Sequence, residues 1–136
     1  MDKENSITLS KYRLEQSKEN LEEALLLFEQ GKYKGASNRA YYSIFHAMKA
    51  ICALDEVDFK KHSGVISYFN KEYVSTNIFS REIGKRIGEA RFYREQSDYV
   101  DFYIITKEEC QEQIKTAEIF LKETEIYLKA KYGELN

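Results

Sequence analysis

Residues 34–54 read KGASNRAYYSIFHAMKAICAL. Ala40, Ile44, Ala47, Ile51 and Leu54 recur at steps of four, three, four and three, which is one face of an α-helix. Phe45, Met48 and Cys52 extend the apolar arc, so more than half of the circumference is hydrophobic. Such a helix is central in its fold. Its one polar window holds Asn38, Arg39, Tyr42, His46 and Lys49. Arg39 and His46 lie about 20° apart on the wheel and roughly 10 Å apart along the axis, so both project from one side. Ser43 and Ala50 border the window. They permit close approach of another helix, from the same subunit or from a second one.

Working outward, the apolar spacing stays helical. A first helix is predicted from Ser6 or Leu9 to Gln30, with Leu14, Leu21, Leu25 and Phe28 as its stripe and Gly31 as a left-handed cap. A third starts at Ser63 as N-cap and runs through Val65, Ile66 and Phe69 to about Val74. The fourth starts near Ser80, follows Phe79, Ile83, Ile87 and Ala90, and fades at Ser97–Asp98. The fifth opens with the capping box Thr106-Lys107-Glu108-Glu109. It continues through Cys110, Ile114, Ala117, Leu121, Thr124 and Leu128, and Gly133 ends it. Residues 98–105 read as a loop or a short extended piece. Five helices with short connections predict an all-α, up-and-down helical bundle forming one domain over 1–136. Its predicted core is Leu25, Phe28, Ile44, Ile51, Ile83, Ile87, Ile114, Ala117 and Leu121.

Composition narrows the function classes. The 136 residues carry 21 Lys plus Arg against 23 Asp plus Glu, a net charge of -2. A globally basic nucleic-acid coat is excluded, and 43% hydrophobic content excludes a polyacidic disordered chain. The lack of proline and the six glycines argue against a turn-rich β-sandwich. With two cysteines and two histidines, no disulfide framework, metal cluster or cofactor is expected. No apolar run reaches the roughly 18 residues of a membrane span. The charged start Met1-Asp2-Lys3-Glu4-Asn5 leads into no hydrophobic signal region, so a cytoplasmic protein without membrane contact is expected.

The polar window supplies a particular chemistry. Arginine offers a fixed fork of donors to phosphate oxygens, histidine exchanges protons near neutral pH, and tyrosine stacks or donates. Together they suit binding a phosphodiester and moving a proton in it. The plainer alternative is that Arg39 and His46 satisfy acidic residues of a neighbouring helix. The fourth helix is the basic one: Arg81, Lys85, Arg86, Arg91 and Arg94 oppose Glu82 and Glu89, a net of +3. Arg91 and Arg94 share a face and stand next to Tyr93 and Tyr99, as nucleic-acid surfaces often show. The competing reading is a solvated face paired with the acidic fifth helix. Lys60-Lys61-His62-Ser63-Gly64 precedes the third helix, and His62 there reads as structural or solvent-exposed.

Ser37-Asn38-Arg39-Ala40-Tyr41-Tyr42-Ser43-Ile44-Phe45-His46-Ala47 resembles the helix that marks HEPN domains. Lys61-His62-Ser63-Gly64-Val65-Ile66, the segment Arg91 to Tyr99 and the long last helix fall where that family has similar segments. The resemblance covers about 8–130. It implies a helical bundle, commonly a homodimer, and often a minimal nucleotidyltransferase as partner. It implies a metal-independent ribonuclease in which Arg39 stabilises the scissile phosphate and His46 is general acid or base on the ribose 2′-hydroxyl. Six residues separate the two, at the upper edge of the family's pattern. Asn38, Tyr42, Lys49, Arg91, Arg94 and Tyr99 are the candidate supporting residues for RNA or a nucleotide. One branch of the family has a tyrosine two residues after the histidine, where a partner modifies it; Met48 stands there in this chain. The family also contains non-catalytic nucleotide- or nucleotidyltransferase-binding modules, which is the alternative function.

Overall fold

The fold, seen in a computed structural model, is described for residues 3–135; positions 1, 2 and 136 of the expected domain lie outside the described residues. The elements are α1 (Lys3–Glu29), α2 (Tyr33–Ala53), α3 (His62–Phe69) with a π-helical turn (Asn70–Val74), α4 (Arg81–Tyr99) and α5 (Lys107–Leu135). There is no strand among the described residues. Ser10 meets Ala50 and Ser17 meets Ser43, so α1 and α2 are antiparallel. Ser10 also meets Tyr132, which runs α5 against α1. Arg86 on Glu112 joins α4 to α5. The result is an up-and-down bundle with α2 at its centre. No described helix is long and apolar enough to cross a membrane.

The predicted stripes of α2, α4 and α5 are buried, Leu54 alone being partly exposed. Val65, Ile66 and Phe69 of α3 are buried with them. The stripe expected for the first helix is corrected. Leu14, Leu21 and Phe28 are only partly buried, and Leu25 is 40% exposed. The face of α1 that turns inward is Ser6, Ser10, Arg13, Ser17 and Ala24. Opposite it stand Ala36, Ala40, Ser43, Ala47 and Ala50 of α2. Both rows repeat in steps of four and three, as facing seams do. Small side chains let the two backbones come close, and serine hydroxyls then reach across. Ser17 Oγ donates to the Ser43 carbonyl at 2.6 Å, and Ser10 Oγ to the Ala50 carbonyl at 2.7 Å. Leu25 sits about 80° around the helix from Ser17, beyond this seam. Ser43 and Ala50 are therefore occupied within the subunit and offer no approach to a second one. Ser43→Leu would force a branched side chain into the seam. It is expected to cost about 1–3 kcal/mol in urea unfolding, and an unchanged midpoint would contradict the close packing.

Element ends follow their caps in most places. Gly31 is left-handed (φ 75°), and the Gly31 and Lys32 amides bond back to the Phe28 and Leu27 carbonyls. Ser80 accepts from the Ile83 amide, and Thr106 and Glu109 exchange the two bonds of a capping box. Other ends move. The first helix begins earlier, at Lys3, and α3 begins at His62 behind Lys61 instead of at Ser63. α4 continues to Tyr99, and α5 passes through Gly133 to Leu135 because nothing forces a left-handed turn there. The chain after α4 is irregular, and Phe102 has a positive φ of 63°.

Candidate functional site

Between Ala36 and Ala53 only Asn38, Arg39, Tyr42, His46 and Lys49 escape burial. The window drawn on the helical wheel is thus a real opening, and α1 and α4 form its two sides. From α1, Asn20 and Glu23 reach in. The His46 Nδ1 lies 2.8 Å from Asn20 Oδ1. An amide oxygen only accepts, so Nδ1 carries the proton and Nε2 keeps the lone pair. Arg39 Nε lies 3.9 Å from a Glu23 carboxylate oxygen, with both side chains about half exposed. Such a pair is worth about 0–1 kcal/mol, so little holds Arg39 to this partner. Arg13 donates to the Lys49 carbonyl at 3.2 Å and meets Asp58 at 3.4 Å, tying α1 to the end of α2. The alternative partners foreseen for Arg39 and His46 therefore exist on α1. One is a loose ion pair and the other is a neutral amide.

From α4, Arg94 reaches over the aromatic part of the window. Its Nη2 donates to the Tyr42 hydroxyl at 3.2 Å. Its guanidinium carbon lies 5.3 Å from the Tyr41 ring centroid, 5.7 Å from that of Tyr42 and 5.9 Å from that of Tyr99. Asp98 comes within 3.0 Å of Nε, an ionic contact not aligned as a hydrogen bond. Arg91 pairs with Glu95 at 2.9 Å, one turn along its own helix. Of the basic residues on α4, Arg86 is the one seen paired with the acidic fifth helix, on Glu112 and Thr116. Tyr99 is exposed. Asn38 and Arg39 line a cleft of about 320 Å³ with Leu27, Lys34, Gly35 and Asp98. Burial, opposed by Arg94, pushes the Tyr41 hydroxyl up to about 12, so it stays protonated.

All eight candidate residues of the sequence thus lie on α2 and α4 around one face, and four others join them. Asn20, Glu23 and Arg13 were missed. Their only trace was the serine row of the first helix, which a search for apolar stripes passes over. His62, read as structural or exposed, is half-buried and packs its ring 4.0 Å from that of Phe45. Among the described residues no group of three His, Cys, Asp or Glu side chains converges as a metal site would need.

Both imidazoles are held below the usual histidine range. For His46 the main cause is burial, opposed by a bond to the Tyr42 carbonyl and reinforced by Lys49, Arg13 and His62. For His62 it is again burial, then Arg94, Lys49 and Arg91. The unfolded chain binds protons at its ordinary histidine value, about 6.5, while the folded chain resists until lower pH. Stability is therefore full above about pH 6.5 and falls as the pH drops below it. The urea midpoint is expected to decline in that direction, and His46→Gln to flatten part of the decline. A midpoint that rises on acidification through this range would contradict the burial of these rings.

A family model described as HEPN domain matches residues 10–127. A protein of Methanocaldococcus jannaschii named "Putative toxin" is 37% identical over 118 residues, 87% of this chain and 80% of that one. A second protein of that organism with the same designation is 36% identical over 108 residues, 79% of this chain and 80% of that one. A "UPF0332 protein" of Thermotoga maritima is 33% identical over 110 residues, 81% of this chain and 83% of that one.

Proposed function

The chain belongs to the HEPN domain family, and from that premise we propose that it is an endoribonuclease of the toxin or defence type. The observation that carries this reading is the window of α2. There an imidazole oriented by Asn20 and a loosely held guanidinium stand seven residues apart on the same polar face of α2. Arg39 would neutralise the scissile phosphate, and His46 Nε2 would take the proton of the ribose 2′-hydroxyl. The 2′-oxygen then attacks phosphorus and the P–O5′ bond breaks, giving a 2′,3′-cyclic phosphate and, once O5′ takes up a proton, a 5′-hydroxyl. What the protein supplies to this displacement is proton transfer and charge neutralisation, which these side chains provide without a metal. Asn38, Tyr42, Lys49, Arg91, Arg94 and Tyr99 would position the strand. The relatives named toxins support the biological direction.

The reading extends to a single cytoplasmic domain over 1–136 that acts as a homodimer and pairs with a minimal nucleotidyltransferase. Tyr99, Val100, Phe102 and Ile104, exposed beside Asp98, provide apolar surface for a second copy. The test is incubation of the purified protein with unstructured RNA, with and without chelator. Cleavage to cyclic-phosphate ends that survives the chelator is expected, and loss of all activity on chelation would overturn the mechanism. A second reading, a non-catalytic nucleotide-binding module, is favoured by the stack of Arg94 with Tyr41, Tyr42 and Tyr99. Nucleotide binding without any RNA cleavage would select it.

A further inference from the structure

We propose that His62 is the second proton-transfer group of this cleft, protonating the leaving 5′-oxygen while His46 deprotonates the 2′-hydroxyl. The inference rests on the ribonuclease reading and assigns it a residue outside the Arg39/His46 pair. The chain has two histidines, one in α2 and one at the start of α3. The fold brings both to the same two rings. His46 lies 5.8 Å from the Phe45 centroid and 6.2 Å from that of Tyr42. His62 lies 4.0 Å from Phe45 and 5.6 Å from Tyr42. The two distances to Phe45 bound the imidazole separation at about 10 Å. An in-line displacement sets the attacking and leaving oxygens on opposite sides of phosphorus. With a hydrogen bond at each end, the span between the two proton-transferring nitrogens is on the order of 9 Å. The two imidazoles thus lie close enough together for both to reach one phosphodiester.

Cations stand against both imidazoles. His46 is oriented by Asn20 of α1 and faces Arg13 of α1 and Lys49 of its own helix. His62 faces Arg94 and Arg91 of α4 and Lys49 of α2, and its Nδ1 lies 3.5 Å from the protonated Tyr41 hydroxyl. Burial first, and then these cations, disfavour a positive charge on His62. A phosphodiester arriving between Arg94 and Lys49 brings negative charge, and the proton affinity of His62 rises with it. The step balances: the 2′-O–H proton goes to His46, the O2′–P bond forms and the P–O5′ bond breaks. The O5′ electron pair then takes the proton of His62.

A substrate whose leaving 5′-oxygen is replaced by sulfur tests this, because a thiolate leaves without a proton. His62→Ala is expected to slow RNA cleavage by about 10²–10⁴-fold and to cleave the 5′-thio substrate within a few-fold of wild type. His46→Ala stays slow on both. His62→Phe keeps a ring against Phe45 and separates chemistry from packing; it is expected to behave as His62→Ala does. RNA cleavage near the wild-type rate by either His62 variant, or equal slowing on both substrates, would overturn the proposal and leave the His46 reading standing. A wild type that cleaves neither substrate would overturn the ribonuclease reading, and this one with it.

Discussion

His46→Ala is expected to lower RNA cleavage by about 10²–10⁴-fold, the usual contribution of a positioned acid–base group. The fold should survive, because the imidazole is half-buried at a rim and its side-chain partner, Asn20, is itself only half-buried. Unfolding in urea above pH 7 checks the fold, and single-turnover cleavage checks the chemistry. Burial holds the imidazole below its usual range, so the base stays neutral at about pH 7, and the acidic limb of the rate profile, where activity falls as His46 is protonated, should lie below about pH 6.5. Arg39→Ala should act differently. It removes a phosphate contact and should weaken substrate binding as well as turnover. Asn20→Ala frees the imidazole to change tautomer, and a smaller loss than that of His46→Ala is expected. Full activity in His46→Ala would end the assignment.

Phe120→Ala is expected to cost about 3–5 kcal/mol, the range for emptying a buried aromatic site. Phe120 is fully buried in α5 and meets Phe69 edge-on at 5.4 Å and Phe79 at 5.5 Å. It joins α3 and the approach to α4 to the last helix. A domain of this size has about 5–15 kcal/mol to lose, so a large drop in the urea midpoint and in Tm should follow. Leu26→Ala is the control. Leu26 is 60% exposed, and its truncation should stay within about 0.5 kcal/mol. Equal effects from the two variants would mean that this aromatic cluster is not the core.

The helices were legible because each has one face that must leave water, and that face repeats at 3.6 residues. Ile44, Ile51, Ile83, Ile87, Ile114 and Leu121 betray their burial in this way. The window of α2 was legible for the converse reason, since five polar positions interrupt an otherwise apolar surface. The seam between α1 and α2 was not. Serine scores as polar, yet Ser6, Ser10 and Ser17 are buried, because the hydroxyls of Ser10 and Ser17 find carbonyls on the facing helix. Periodicity alone therefore assigned Leu25 to a core that packs elsewhere.

Local signals likewise settled the left-handed end at Gly31 and the capping box at Thr106, where partners lie within three to five residues. They did not settle the end of α5, or the start of α3, which carries no side-chain cap. An all-α bundle, a central second helix and a polar opening in it that holds Arg39 and His46 are all legible from residue order. Only the tertiary structure decided what faces that opening. Asn20 lies 26 residues before His46 and His62 lies 16 after it, and no helical period links residues on separate elements. Their meeting depends on how closely α1 approaches α2 and where the chain turns into α3. Both follow from packing between helices, and packing is a property of pairs of surfaces that no single stretch of sequence displays.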